Sequence, residues 1–187
     1  MYTLLAPQGI VIPEWTKNLW TLRVPPKIIA FCWLACLEAI PSRCFLESRG
    51  MTFSLDELLC PVCFWDFEDV AHIILHCRQA WEVWNLIMTW WGIAWSMPGN
   101  IKVLFCTWFH LSKSKYKKVW GNILKLACWQ IWLARNDRVF NNMEFIPTVI
   151  FSKIQSKSFS WEWATFSHIY GFTFEDWLLA PTTCLSH

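Results

Sequence analysis

The sequence predicts a mainly α-helical fold, and three observations lead to that prediction. In the second half of the chain, tryptophans and aliphatic residues recur at steps of three and four, which is the spacing of one helix face. Prolines, serines and glycines that start or stop helices separate the segments. The first half contains cysteines and histidines at the spacing of metal ligands, which is typical of a small helical domain stapled by an ion.

The composition limits what kind of protein this is. Its 187 residues are enough for one compact domain or for two small domains packed together. Hydrophobic residues make up 55% of the chain and 16 residues are tryptophan, so either the core is very aromatic or part of the surface lies against a partner. The net charge of +2 is too small to predict nucleic-acid binding by itself.

The first residues and the cysteines indicate the cellular setting. The N-terminal segment lacks the basic start and the long apolar run of a secretion signal. The nine cysteines are therefore expected to be reduced thiols used for metal binding or packing. The longest uncharged run, residues 83–101, is interrupted by glycine, proline and asparagine, so no membrane span is expected. We expect an intracellular protein of the nucleus or cytoplasm that is not secreted.

Helices are expected in the segments between the breakers. The first follows Pro26, which suits the first helical position, and it is apolar almost all round, so it should be buried or have a partner. Ser42 is a natural N-cap, and Ser54 with Glu57 has the form of a capping box. The expected helices span residues 27–39, 43–49, 70–76, 79–91, 101–111, 116–140 and 148–166.

Three stretches are expected to be non-helical. Residues 1–14 show little periodicity and contain two prolines, so we expect an irregular lead-in there. Residues 19–24 alternate between apolar and other side chains, which favours a short extended piece that Pro25 stops. Residues 169–187 are expected to form a ragged end.

A cysteine and histidine pattern between residues 60 and 77 is the centre of the chain. It reads Cys-x2-Cys, then histidine after eight residues, then cysteine after four. Three thiolates and one imidazole suit a four-coordinate structural zinc ion, and two residues between the first cysteines let one turn aim both sulfurs at one point. Asp69 can cap a short helix that carries the other two ligands. The predicted ligands of one zinc ion are Cys60, Cys63, His72 and Cys77.

The choice of histidine has an alternative. His72 and His76 lie four residues apart and share a helix face, so either of them could bind. His76 directly precedes Cys77, and adjacent residues on a helix diverge in direction. We therefore favour His72, and we expect His76 to be a partly exposed helix residue.

Basic residues in the second half are candidates for nucleic-acid contact. Aromatic residues interleave with them, and rings such as Tyr116 and Trp120 could stack on bases while lysines meet phosphates. The alternative is a solvated helix start, with the arginines paired to Asp137, Glu144 or carbonyls at the helix end. The candidates are Lys113, Lys115, Lys117, Lys118, Arg135 and Arg138.

Several motifs follow one another in a recognisable order. They are Leu19-Trp20, Val24-Pro25-Pro26-Lys27, Phe31-x-Trp33-Leu34-Ala35, Pro41-Ser42-Arg43, Arg49-Gly50-Met51, Cys60-Pro61-Val62-Cys63, His72-x4-Cys77 and Trp81-x2-Trp84. This series resembles the zinc-binding domain that lies C-terminal to the polymerase in reverse transcriptases of plant non-LTR retrotransposons. The resemblance continues more loosely through Ile131-Trp132-x2-Arg135-Asn136 to about Trp177. It implies that His72, and not His76, completes the ligand set.

The resemblance implies an architecture. After a lead-in over residues 1–14, we expect a small zinc-stapled helical domain over residues 15–95. Additional amphipathic helices packed C-terminally would form an extension over residues 96–187.

The resemblance also implies a non-catalytic zinc-binding module of a retroelement, which contacts RNA or DNA as an accessory to a reverse transcriptase. The chain has no Asp-Asp pair for magnesium and no phosphate-binding loop, and four protein ligands would leave the zinc no open position for hydrolysis. No small-molecule substrate and no membrane partner are expected. The alternative is a non-catalytic scaffold that binds a reverse transcriptase or another protein, or an inactive retroelement fragment.

Overall fold

The computed structural model describes residues 13–20, 24–112, 116–166 and 172–185, and the side chains of 163–166 fall outside this description. Within these ranges the regular elements are helices, and the one extended pairing is an isolated antiparallel bridge between Leu59 and Phe67. The prediction of a mainly α-helical fold is confirmed. The helices are α1 (Glu14–Trp20), α2 (Pro26–Cys36), α3 (Arg43–Ser48), α4 (Leu55–Leu58), α5 (Arg78–Trp91), α6 (Ile101–Thr107), α7 (Lys117–Asn141), α8 (Pro147–Phe166), α9 (Phe174–Leu179) and α10 (Pro181–Cys184). A π-helical turn spans His72–His76, and a 3-10 turn spans Trp108–His110.

Helix α1 corrects the expected non-helical start. The extended piece expected over residues 19–24 is wrong for its first two residues, because α1 continues to Trp20. Trp15 and Leu19 are one helical turn apart, and both pack into the core, so their i,i+4 spacing was the signal that mattered. Residues 1–12 and 21–23 of the two expected non-helical stretches lie outside the described residues.

Helix α2 is buried on one face only. Pro26 begins it, as expected, but it ends at Cys36 because Glu38 adopts a left-handed conformation with φ of 57°. The inner face of α2 packs against α7. The outer face leaves three large apolar side chains exposed to solvent, namely Trp33, Leu34 and Leu37. We call these three residues the α2 face.

Tryptophans build much of the core around α7. Trp84, Trp108 and Trp120 have no solvent exposure. The rings of Trp108 and Trp120 stack with centroids 4.3 Å apart and an interplanar angle of 9°. Each indole N–H of this pair also donates to the other residue's backbone carbonyl, at 2.8 and 2.9 Å. Of the 15 tryptophans whose side chains are described, six are buried, five are half-buried and four are exposed, so tryptophan builds both the core and part of the surface.

The C-terminal region is more ordered than the sequence suggested. A ragged end was expected over residues 169–187, but the described part contains α9 and α10. Thr173 and Asp176 form a reciprocal capping box at the start of α9, and Trp177 is fully buried behind it. The local capping signal and the buried ring together explain why this segment is helical.

Helix α7 joins the two predicted parts of the chain. It packs against α2 and the π-helical turn of the first part and against α8 of the second. Buried residues of both parts belong to one hydrophobic cluster. No helix in the described ranges is both long enough and apolar enough to cross a membrane.

Candidate metal centre

The first two candidate ligands lie on a tight turn held by backbone hydrogen bonds. The Phe64 N–H donates to the Cys60 carbonyl at 2.8 Å, and the Cys60 N–H donates to the Asp66 carbonyl at 2.8 Å. The Leu59–Phe67 bridge closes the base of the turn. These bonds bring the Cys60 and Cys63 side chains to the same side of the chain.

The other two candidate ligands lie at the two ends of the π-helical turn: His72 is its first residue and Cys77 directly follows it. Asp69 caps it, since its Oδ1 accepts the His72 N–H at 2.6 Å, as the sequence predicted. The Cys77 N–H donates to the His72 carbonyl at 2.7 Å, a bond between residues five apart. An α-helix places residues five apart on different faces, because it has about 3.6 residues per turn. The wider π turn brings His72 and Cys77 to the same side.

The four donor atoms converge on one point. Those of Cys60, Cys63, His72 and Cys77 all lie within 4.8 Å of one another, and Cys63 Sγ is 3.2 Å from His72 Nε2. Donors bound at about 2.0–2.3 Å to one tetrahedral ion lie on the order of 3–4 Å apart, so this arrangement fits a single metal ion. All but Cys63 are buried.

The histidine is oriented so that one nitrogen faces the cluster. His72 Nε2 points toward the sulfurs, whereas the buried Nδ1 has no hydrogen-bond partner among the described residues. The Asp66 carboxylate lies 3.8 Å from Nδ1. This distance is longer than a hydrogen bond and the Asp66 side chain is largely exposed, so the carboxylate is a nearby negative charge that does not fix the ring.

The electrostatics of the cluster favour a cation. A hydrogen bond between the Cys77 and Cys60 side chains, together with burial, raises the pKa of Cys60 to about 12. The same hydrogen bond lowers the pKa of Cys77, and the N–H groups of Gln79 and Ala80 at the start of α5 lower it further. Burial raises the pKa of Cys63. Three thiolates this close repel one another, so a bound cation is needed for all of them to ionise.

His76 lies outside the cluster. Its side chain is exposed, and its Nε2 is 3.3 Å from the carbonyl of Gly99. The structure thus brings His72, and not His76, together with the three cysteines.

A buried ion pair links the metal site to α7. Glu68 has no solvent exposure, and both of its carboxylate oxygens accept from the Arg135 guanidinium, with Nε–Oε2 at 2.9 Å. The Arg43 N–H also donates to Glu68 Oε1 at 3.0 Å. The Arg135 guanidinium lies over the Trp132 ring, 5.1 Å from its centroid. The prediction that Arg135 contacts nucleic acid is therefore corrected, because its guanidinium is buried and already held by a carboxylate.

The remaining basic candidates are far apart. Arg138 is half-buried beside the cysteine turn, where its Nε donates to the Pro61 carbonyl at 3.3 Å. Lys117 and Lys118 are exposed in the first turn of α7, about 30 Å along the helix from Arg138. Lys113 and Lys115 lie outside the described residues. Among the described candidates, Lys117 and Lys118 therefore do not form one patch with Arg138. No sequence pattern indicated that Glu68 is the partner of Arg135.

Comparison with known proteins gives one match. Residues 1–84 match the family model described as zinc-binding in reverse transcriptase. The match contains all four clustered donors and ends within α5. No curated protein and no solved structure matches the chain.

Proposed function

We propose that the chain is a non-catalytic module, stabilised by zinc, that contacts RNA or DNA as an accessory to a reverse transcriptase, because residues 1–84 match the family described as zinc-binding in reverse transcriptase. The observation that carries the proposal is the convergence of three sulfurs and one imidazole nitrogen on one point. This donor set suits zinc, and four protein ligands close its coordination sphere. The ordered motifs resembling plant non-LTR elements support a retroelement origin.

The cellular setting proposed is the nucleus or cytoplasm. None of the nine cysteines forms a disulfide, which is typical of proteins in a reducing compartment. Both compartments keep cysteines reduced, so the cysteine ligands of a structural zinc site can ionise to thiolates there.

A binding titration tests the nucleic-acid part of the proposal. Zinc-loaded protein is titrated into labelled single-stranded RNA and duplex DNA at two salt concentrations. Phosphate contacts release counterions, so the expected result is an affinity that falls steeply with salt. Absence of binding at low salt, with one zinc per chain and an intact fold, would overturn the proposal.

Charge-neutralising variants sharpen this test. Lys117→Gln with Lys118→Gln removes the exposed pair at the start of α7. If both lysines meet phosphates of a single strand, the slope of log affinity against log salt falls by about 1.4, or 0.7 per lost contact. Lys153→Gln with Lys157→Gln, an exposed pair on α8, is the matched control that should leave the slope unchanged.

The α2 face supports a second candidate function, a scaffold that binds protein. Trp33, Leu34 and Leu37 are each about two-fifths exposed and form an apolar stripe. Apolar protein interfaces depend little on salt. Binding of a reverse transcriptase polymerase domain that persists at high salt and is lost in Leu34→Asp would favour this candidate.

A further inference from the structure

We propose that the tip of the cysteine turn is a stacking platform for the bases of single-stranded nucleic acid, with Arg138 beside it as a phosphate contact. The tip consists of Phe64, Trp65 and Phe67, and we call it the aromatic tip. This inference rests on the proposed function. It names a surface different from the one formed by the lysines at the start of α7, and it narrows the ligand to a single strand.

The aromatic tip is exposed in a protein that buries most of its large rings. Trp65 is 89% exposed, Phe64 is 61% exposed and Phe67 is 49% exposed. A single exposed ring is ordinary on a protein surface, but here three lie within four residues of one turn. Exposed aromatic residues concentrated in this way are typical of sites that contact another molecule.

The backbone beneath these rings is fixed. Phe64 and Asp66 take part in the hydrogen bonds of the turn, and the Phe67 N–H donates to the Asp66 carboxylate at 2.9 Å. Cys63, a member of the donor cluster, directly precedes Phe64. Rings held by a rigid turn lose little conformational freedom when a base stacks on them, and this favours binding.

Phe64 has an unusual backbone conformation. Its φ is 56°, in the left-handed region that bulky side chains rarely adopt. A residue with a Cβ there costs on the order of 1–2 kcal/mol relative to glycine. Burial of the ring does not offset that cost, because most of it is in solvent. Strained residues of this kind cluster at functional sites, which supports a contact role for the ring.

A guanidinium borders the aromatic tip. The Arg138 guanidinium carbon lies 5.8 Å from the centre of the Phe64 ring, and its Nε is held by the Pro61 carbonyl. The same side chain lines a groove of about 390 Å³ together with Val62, Gln79, Glu144 and Phe145. Arg138 Nη1 also donates to Asn142 Oδ1 at 3.0 Å, and Glu144 adds a carboxylate to the groove. The groove therefore offers the remaining guanidinium N–H groups and the Gln79 amide next to the exposed rings.

This combination favours nucleic acid over a protein partner. Bases stack on aromatic faces regardless of sequence, and an adjacent guanidinium pairs with the phosphate between stacked bases. The α2 face differs in chemistry, because two of its three residues are leucines. Lys27, the cation of that helix, lies 6.0 Å from the centre of the Trp129 ring. We therefore assign the aromatic tip to a single strand, whose bases are free to unstack.

The test compares RNA affinity in the unmodified protein and three variants, all full-length and zinc-loaded, using a labelled mixed-sequence single-stranded RNA. Trp65→Ala should weaken binding about 5- to 150-fold, since one stacked base contributes about 1–3 kcal/mol. Zinc content should not change. Trp33→Ala, another exposed tryptophan, is the matched control and should bind like the unmodified protein. Trp65→Phe should retain most of the affinity.

The outcomes separate this inference from the proposed function. If the unmodified protein binds RNA and Trp65→Ala binds equally well, the aromatic tip is not the platform and the proposed function stands. If the unmodified protein does not bind RNA or DNA at all, the proposed function fails and the inference fails with it.

Phe64→Gly provides an independent check on the same site. Glycine accepts the left-handed conformation, so the melting temperature should stay the same or rise, while RNA affinity should fall. A marked drop in melting temperature with unchanged RNA affinity would show that Phe64 has a structural role and would overturn its place in the platform.

Discussion

Glu68 and Arg135 form a buried, two-pronged ion pair although they lie 67 residues apart in the chain. Glu68 follows the cysteine turn, and Arg135 lies in the last third of α7. The family match covers the first residue and not the second. The segment between the two halves of the donor cluster is therefore held by a helix from outside the matched segment.

Loss of Arg135 should destabilise the whole fold. Arg135→Met leaves the Glu68 carboxylate buried without its counter-charge, which costs about 3–5 kcal/mol when a buried pair is broken. The measurement is the free energy of unfolding in urea. Arg138→Met, which alters a half-buried arginine on the same helix, is the control and should cost about 1 kcal/mol or less.

A double variant checks the reason for that loss. Glu68→Leu with Arg135→Met removes both charges, and apolar replacement of a buried pair is often neutral. We expect it to recover most of the lost stability. If Arg135→Met costs no more than Arg138→Met, the ion pair does not stabilise the fold in the way described.

Removal of one cysteine ligand should abolish metal binding. Cys60→Ser leaves three donors, and structural zinc contributes on the order of 10 kcal/mol to the folding of small zinc domains. We expect loss of the ion and of much of the helical circular dichroism. Cys44→Ser, at a partly buried cysteine outside the cluster, should keep one zinc per chain by elemental analysis. A Cys60→Ser protein that also holds one zinc per chain would contradict the ligand set.

The two histidines should behave differently. His72→Ala removes a clustered donor, whereas His76→Ala removes an exposed side chain. Cobalt(II) in place of zinc gives visible absorption that reports tetrahedral coordination. The spectrum should be lost or altered in His72→Ala and unchanged in His76→Ala. The reverse result would make His76 the ligand.

Stability should depend on pH through Lys125. This lysine has no solvent exposure, its Nζ donates to the Asn18 carbonyl at 3.1 Å, and burial lowers its pKa from 10.5 to about 8. Between pH 8 and 10.5 the unfolded state binds the additional proton, so the contribution of Lys125 to stability rises with pH over that window. Below pH 8 the buried charge lowers stability.

Lys125→Met isolates this effect. The variant should be more stable relative to the unmodified protein at pH 7 than at pH 10, when both are unfolded in urea. The nearby thiols of Cys32 and Cys128 are present in both proteins, so their titration affects both curves. An equal stability difference at the two pH values would show that Lys125 does not titrate in this range.

Local signals in the sequence were sufficient to predict which four donors cluster. The cysteine spacing and the cap at Asp69 indicated the clustered residues and the short helix between them, and the capping box of Ser54 and Glu57 is present as expected. The capping box of Thr173 and Asp176 carries the same kind of signal but was missed in a segment without apolar periodicity.

Other features depend on contacts between distant residues. The π form of the turn before Cys77 follows from the hydrogen bond that the Cys77 N–H donates to the His72 carbonyl. No residue type in this segment predicts that bond. The burial of Arg135 depends on Glu68, and a helix face alone did not distinguish this arginine from a solvent-exposed one. Pairings between distant residues require the fold itself and cannot be predicted from spacing.

The distance in sequence between Glu68 and Arg135 has a consequence for synthesis. A ribosome adds about 5–20 residues per second, so the chain from Glu68 to Arg135, a separation of 67 residues, takes roughly 3–13 s to make. During that time the segment with the four clustered donors carries a carboxylate whose guanidinium does not yet exist. The Glu68 pair can therefore form only after α7 has been made, and α8, which packs on α7, follows it.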